Sequence, residues 1–207
     1  MMTTISTPRI RTATPETSGL GDVLARAFQE DPVFTWWIPD ADRRRATLPP
    51  FFDLFVETFL VHDLVYVDAD TTGTVVWGPP SNPLGIEDEE AFGVRMEEIV
   101  AETDLPRVIE IVTTLAEHHP SDPHYYLQWA AVLPEHQGRG IGSVLLAPVL
   151  QRCDREGVPA YTEATSLHNC RLYERHGFAF ISEIAPADGP PLYRMWREPT
   201  AHSRSSR

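Results

Sequence analysis

Residues 134–142 read PEHQGRGIG, with glycines at 138, 140 and 142. The strand-like run YYLQWAAVL precedes them, and an amphipathic stretch carrying Val144, Leu145, Val149, Leu150 and Cys153 follows. At the start of a helix the first backbone N–H groups have no partner and the aligned peptide dipoles favour an anion. Glycines without Cβ atoms let a pyrophosphate approach the main chain, and Arg139 adds a charged donor. The same three glycines also suit a tight strand-to-helix turn, so the context has to decide. A Rossmann fingerprint requires another glycine spacing and a Walker loop requires a lysine. All 17 basic residues are arginine, which excludes Walker, Schiff-base and lysine-nucleophile chemistry.

Other reactive groups give weaker signals. His118, His119 and His124 surround Pro120-Ser121-Asp122-Pro123 in loop-like sequence without the helical spacing of a zinc site, so no metal is expected. Cys153 and Cys170 fall on separate predicted helices and are expected to be reduced, with one or both in the core. Phe34, Trp36, Trp37 and Trp77 either line an aromatic pocket or fill the core. Asp31, Trp36, Trp77, Tyr126 and Gln128 are the candidates for contact with a second substrate.

The elements that would position these groups follow from periodicity. A short strand is expected at 9–13 and a helix at 21–29, with Pro32 at or after its end. A second helix is expected over 49–60, its prolines in the first turn. LVYVDAD and TVVWGPP flank Thr71-Thr72-Gly73 as a hairpin, and 87–116 is helical with a break near Pro106. The second half reads as a strand at 125–133, a helix at 142–156, a strand at 160–164, a short helix at 169–176, and strands near 178–182 and 192–196. That alternation implies a parallel crossover in a mixed sheet. Pro148 should bend the helix that contains it.

At 207 residues and 42% hydrophobic content, one domain over 8–198 is expected, with tails at 1–7 and 199–207 that fray. No run approaches the roughly 18 apolar residues of a membrane span, and the opening segment lacks the apolar core of a secretory signal. A soluble, cytoplasmic protein is expected. A net charge of −13 disfavours nucleic acid and anionic lipid and draws cations.

Gln137-Gly138-Arg139-Gly140-Ile141-Gly142 resembles the Gln/Arg-x-x-Gly-x-Gly/Ala signature of the GNAT acetyltransferases, and it directly follows the strand ending Val132-Leu133-Pro134. Asn169, with Tyr173 four residues on and Gly177-Phe178 closing the helix, is similar to the second cofactor wall of that superfamily. Over about 125–184 the sequence most resembles the puromycin N-acetyltransferase group, through the glycine loop, Gly157 to Ala160, Glu163 and Tyr173 to Phe178. The resemblance implies one α+β (mixed α/β) GNAT-type domain, its central sheet of about six or seven strands carrying helices on both faces. It also implies a splay between strands 4 and 5 that admits the pantetheine of acetyl-CoA.

On that reading Val132, Leu133, Pro134, Gln137 to Gly142, Ser143, Asn169 and Tyr173 contact the acyl donor. Backbone groups of Val132 and Leu133 polarise the thioester, and Tyr173 protonates the departing thiolate. The attacking amine must lose a proton, and the base is Glu163, His124, the pair Glu30-Asp31 or a water chain. The implied activity is direct acetyl transfer to a primary amine of a small molecule, by a monomer or homodimer. The alternatives are acetylation of protein N-termini or lysines, a non-catalytic acyl-CoA sensor, and phosphate binding by a nucleotide enzyme.

Overall fold

The computed structural model of the chain describes residues 8–200, and stretches 1–7 and 201–207 of the expected tails lie outside the described residues. Among the described residues seven strands form one sheet: β1 (Ile10–Thr12), β2 (Val65–Asp68), β3 (Gly73–Gly78), β4 (Tyr125–Val132), β5 (Ala160–Ala164), β6 (Ala179–Ile184) and β7 (Leu192–Arg197). Their order is β1-β2-β3-β4-β5-β7-β6, antiparallel throughout except for β4 beside β5. The helices are α1 (Leu20–Phe28), α2 (Pro32–Trp37), α3 (Ala41–Leu60), α4 (Glu89–Ile99), α5 (Leu105–His118), α6 (Ile141–Glu156) and α7 (Leu167–Arg175). Among the described residues no helix is long and apolar enough to cross a membrane.

Period-two alternation along the strands divides the core into two layers. Val65, Val67, Val76 and Ala131 pack with α1 to α3 on one face. Val75, Trp77, Tyr125 and Leu127 pack with α6 and α7 on the other. Trp77, a candidate for substrate contact, is 0% exposed in this second layer and serves as core. Cys153 and Cys170 are both buried free thiols there.

The helix expected to begin at Pro49 begins at Ala41, so both prolines lie in its interior. Asp40 caps it, accepting from Arg43 N at 2.7 Å. The buried Arg44 guanidinium donates to Gln29 O and Ile38 O, at 2.7 and 2.6 Å, and these tertiary contacts hold the first half where propensity alone would not. At the proline step α1 comes close, because a Cβ on Gly21 would meet Pro49 O at 2.9 Å. Pro32 follows α1 as expected but also opens α2, whose cap is Asp31.

Arg197, at the end of β7, fastens the sheet to α6 and α7. Its Nε donates to His176 O at 2.8 Å and its Nη2 to Asp154 Oδ2 at 2.9 Å, while Asp154 Oδ1 accepts from Thr200 N at 2.7 Å. Hydrogen bonding from Arg197 is the main cause that holds the Asp154 carboxyl down at about 2. A depressed carboxyl stabilises the fold above its unfolded value of 3.8 and loses that contribution as pH falls towards 2. Asp154→Asn should therefore cost about 1–2 kcal/mol near pH 7. Thermal melts should show the gap from wild type closing on acidification.

Candidate active site

The parallel pair β4–β5 starts joined and then parts. Only Tyr125↔Ala160 and Tyr126↔Tyr161 are in register, and Tyr125 N donates to Pro159 O at 2.9 Å. Where the strands begin to separate, Thr162 Oγ1 donates to Leu127 O at 3.0 Å, so a side chain takes over from the lost ladder. Beyond that point one edge of β4 has no strand beside it.

Which β4 groups face this gap follows from the ladder with β3. Leu133 N donates to Thr72 O at 2.8 Å and therefore points away from the gap. Hydrogen bonds alternate along an antiparallel pair, so Ala130 and Val132 turn their backbone groups towards the gap. The Val132 backbone thus faces the gap while the Leu133 amide is turned to β3, and Ala130, which no sequence motif singles out, faces the gap as well. A bulge at Gln128, between the pairs Trp77↔Leu127 and Val76↔Trp129, resets the alternation below it.

The glycine loop opens a groove of about 420 Å³. Pro134 starts a 3-10 turn over Pro134–His136, and Gly138 and Gly140 take left-handed conformations at φ 73° and 81°. Gly140 is the N-cap of α6 and supplies no side-chain cap, so the amides of Ile141, Gly142 and Ser143 are left for a ligand. A Cβ on Gly138 or Gly140 would meet nothing within 4 Å, and the main chain there is open to approach. Gln137 ties the loop to the strand by donating to Val132 O at 3.1 Å. Arg139 does not line the groove, and its guanidinium donates to Glu135 O at 2.9 Å. His168 and Arg175, from α7, do line it. In sequence they are ordinary polar residues of a helix, and only the packing of α7 across from the loop brings them there.

A second, smaller cavity of about 40 Å³ lies at the parting of the strands, bounded by Phe28, Gln128, Trp129, Glu163, Thr165 and Asn169 among others. Ala130 and Tyr173 border both cavities. Asn169 thus borders the small cavity and not the groove. It is also not the cap of α7: Ser166 is, accepting from Asn169 N at 3.2 Å, and the helix starts two residues earlier than expected.

Glu163 is the carboxylate of the small cavity. Tyr126 Oη donates to its Oε2 at 2.7 Å. Tyr161, two residues earlier on the same face of β5, lies against it, and the Tyr161 hydroxyl accepts from Arg194 Nε at 3.1 Å. Burial raises the Glu163 carboxyl above its ordinary 4.5 despite the two phenols and Arg194, which pull it down. Three buried polar atoms of residues bordering this cavity have no hydrogen-bond partner among the described residues: Gln128 Oε1, Trp129 Nε1 and Glu163 Oε1.

The other candidates separate. Tyr126 does not border the cavity but holds the residue that does. Asp31 caps α2 and accepts from the Thr165 hydroxyl, so it backs the cavity wall, and burial raises its carboxyl too. Trp36 stands apart beneath the Arg107 guanidinium, 5.5 Å from its ring centroid. His124 is fully buried with Nδ1 against Asp122 O at 2.7 Å. Among the described residues no group of three or more His, Cys, Asp or Glu can hold a metal ion.

The model of the acetyltransferase (GNAT) family matches residues 49–178. An uncharacterised N-acetyltransferase of Schizosaccharomyces pombe is 26% identical over 205 residues, covering 88% of this chain and 79% of that protein. A crystal structure described as a histone acetyltransferase HPA2 and related acetyltransferase from Corynebacterium glutamicum is 27% identical, with a TM-score of 0.69, covering 96% of this chain and 99% of that one. A mosquito arylalkylamine N-acetyltransferase-like protein shares the fold, with a TM-score of 0.56 at 16% identity, covering 93% of this chain and 100% of that one. The matched segment contains the glycine loop, the parted strands, Glu163 and Tyr173, and with it this chain belongs to the GNAT acetyltransferase family as an acyl-CoA-dependent acetyltransferase.

Proposed function

We propose that the protein transfers an acetyl group from acetyl-CoA to a primary amine of a small molecule, by direct attack within a ternary complex. The observation that supports this most is the junction at Ala130 and Tyr173, where a groove headed by free helix amides meets a cavity that holds a buried carboxylate. In this reading the pyrophosphate rests on the amides of Ile141, Gly142 and Ser143, and the pantetheine runs along the free edge of β4 beside Ala130 and Val132. The thioester then lies at the junction. The net charge of −13 favours arrival of the acceptor as an ammonium ion.

Glu163 Oε1 takes one proton from that ammonium, and the freed lone pair attacks the thioester carbonyl carbon. Amides of the β4 edge stabilise the resulting oxyanion. The C–N bond forms, the C–S bond breaks, and the thiolate takes the Tyr173 proton. The surplus proton on the nitrogen restores the Tyr173 hydroxyl, and Glu163 releases its proton to the solvent, so one proton leaves per turnover. Burial, helped by the negative charge of Asp31, raises the Tyr173 phenol above its ordinary 10.0, so the hydroxyl stays protonated until the thiolate appears.

Tyr173→Phe should lower turnover about 10- to 100-fold while leaving acetyl-CoA affinity almost unchanged. Unchanged turnover would remove Tyr173 from the chemistry. The reading as a whole is tested by thiol release from acetyl-CoA across an amine panel that includes puromycin, polyamines and lysine peptides. Acetylation of peptides alone would overturn the small-molecule assignment. A coenzyme A-dependent rise in melting temperature without acetylation of any amine would make the protein a sensor.

A further inference from the structure

The small cavity also limits how the reacting nitrogen can be attached. Its roughly 40 Å³ accommodates about three water-sized groups. Phe28 and Trp129 close part of the wall edge to face, with ring centroids 5.6 Å apart, and both rings belong to a packed aromatic cluster with Phe34 and Phe52. A wall fixed on its far side by other rings yields little to an extra methyl group.

Among the described residues, the unpaired polar atoms at the cavity are two acceptors and one donor, Trp129 Nε1. Gln128 Oε1 and Glu163 Oε1 are acceptors, both buried and both without a donor among the described residues. Leaving such atoms unpaired is costly, so a native site of this kind calls for a ligand that brings N–H groups. The bulge places Gln128 as the extra residue on β4, and Tyr126 fixes Glu163 through its other oxygen.

We propose that Gln128 and Glu163 grip the acceptor nitrogen as an ammonium group, and that the cavity admits this group only when it sits on an unbranched methylene carbon. The inference rests on the amine-acetylating reading above. It makes slender alkylamines the acceptors and excludes secondary amines and amines on branched carbons. The α-amino group of puromycin falls in the excluded set, although residues 125–184 resemble the enzymes that acetylate it.

The test compares n-butylamine, sec-butylamine and N-methylbutylamine at saturating acetyl-CoA with the full chain. The expected kcat/KM for n-butylamine exceeds that for each of the others by about 30-fold or more, the discrimination available to a packed pocket that rejects one extra group. Values within about threefold of one another would overturn the inference and leave amine acetylation standing. Failure to acetylate any amine would overturn both. Gln128→Leu should raise the KM for n-butylamine about tenfold with the affinity for coenzyme A unchanged, and an unchanged KM would remove Gln128 from the grip.

Discussion

Gly140→Asp should abolish coenzyme A binding while leaving the protein folded. Gly140 is the N-cap of α6 at φ 81°, and a Cβ built there projects into open space beside the unpaired amides. An aspartate carboxylate at that point would sit about 4 Å from a bound phosphate. Two unit charges at that distance repel by about 4 kcal/mol at an effective dielectric constant near 20. That corresponds to about a thousandfold in affinity for one phosphate charge. The same carboxylate can accept from the amides that the phosphate would have used, which caps the helix and offsets a left-handed strain of about 1 kcal/mol. The melting temperature of the ligand-free variant should therefore stay near that of wild type, and only the rise on adding coenzyme A should vanish. Gly140→Ala, which carries the strain without the charge, should keep most of the affinity. Titration showing Gly140→Asp within about tenfold of wild type would refute the loop as the pyrophosphate site.

The glycine loop was legible in sequence because its requirement is local. Free amides and missing Cβ atoms depend on the residues of one turn, and the same holds for β4, β5 and the hairpin of β2 and β3. The start of α3 was not legible, since two prolines mid-helix are overcome by Arg44 reaching back to Gln29 and Ile38, contacts outside the helix that its own periodicity does not reveal. Trp77 was misplaced for a related reason: in an alternating strand, which face meets a pocket and which meets the core depends on register with the neighbouring strands. The direction of the β4 amides was equally hidden. It turns on one hydrogen bond from Leu133 to Thr72 and on a bulge at Gln128. Glu163 could be named in sequence, but its partners Tyr161 and Arg194 come together only through the β5–β7 pairing, which sets Glu163 opposite Arg194.

Glu163→Gln should lower turnover by about 10² to 10⁴, the range associated with a positioned general base. The amide preserves shape and can still accept from Tyr126, so what is removed is the ability to hold a proton. The pH dependence separates that loss from a structural one. The carboxyl is raised above 4.5 by burial, so wild-type activity should fall as the pH drops through this raised value, where the base becomes protonated and idle. The variant should lose that limb and recover towards alkaline pH, as more of the amine arrives already neutral.

Stability should move the opposite way. A raised carboxyl destabilises the fold once the pH exceeds the unfolded value, because the buried site disfavours the charge, and this cost persists at neutral pH. The glutamine variant is free of it and should melt higher than wild type at pH 8, with the difference disappearing at acid pH. Asp31 is the competing base, since it too is buried, raised, and tied to the cavity wall through Thr165. If Glu163→Gln remained active while Asp31→Asn did not, the proton would leave by Asp31. In that case Glu163 would keep only its part in gripping the ammonium group, and the melting-temperature gain would survive the loss of its catalytic role.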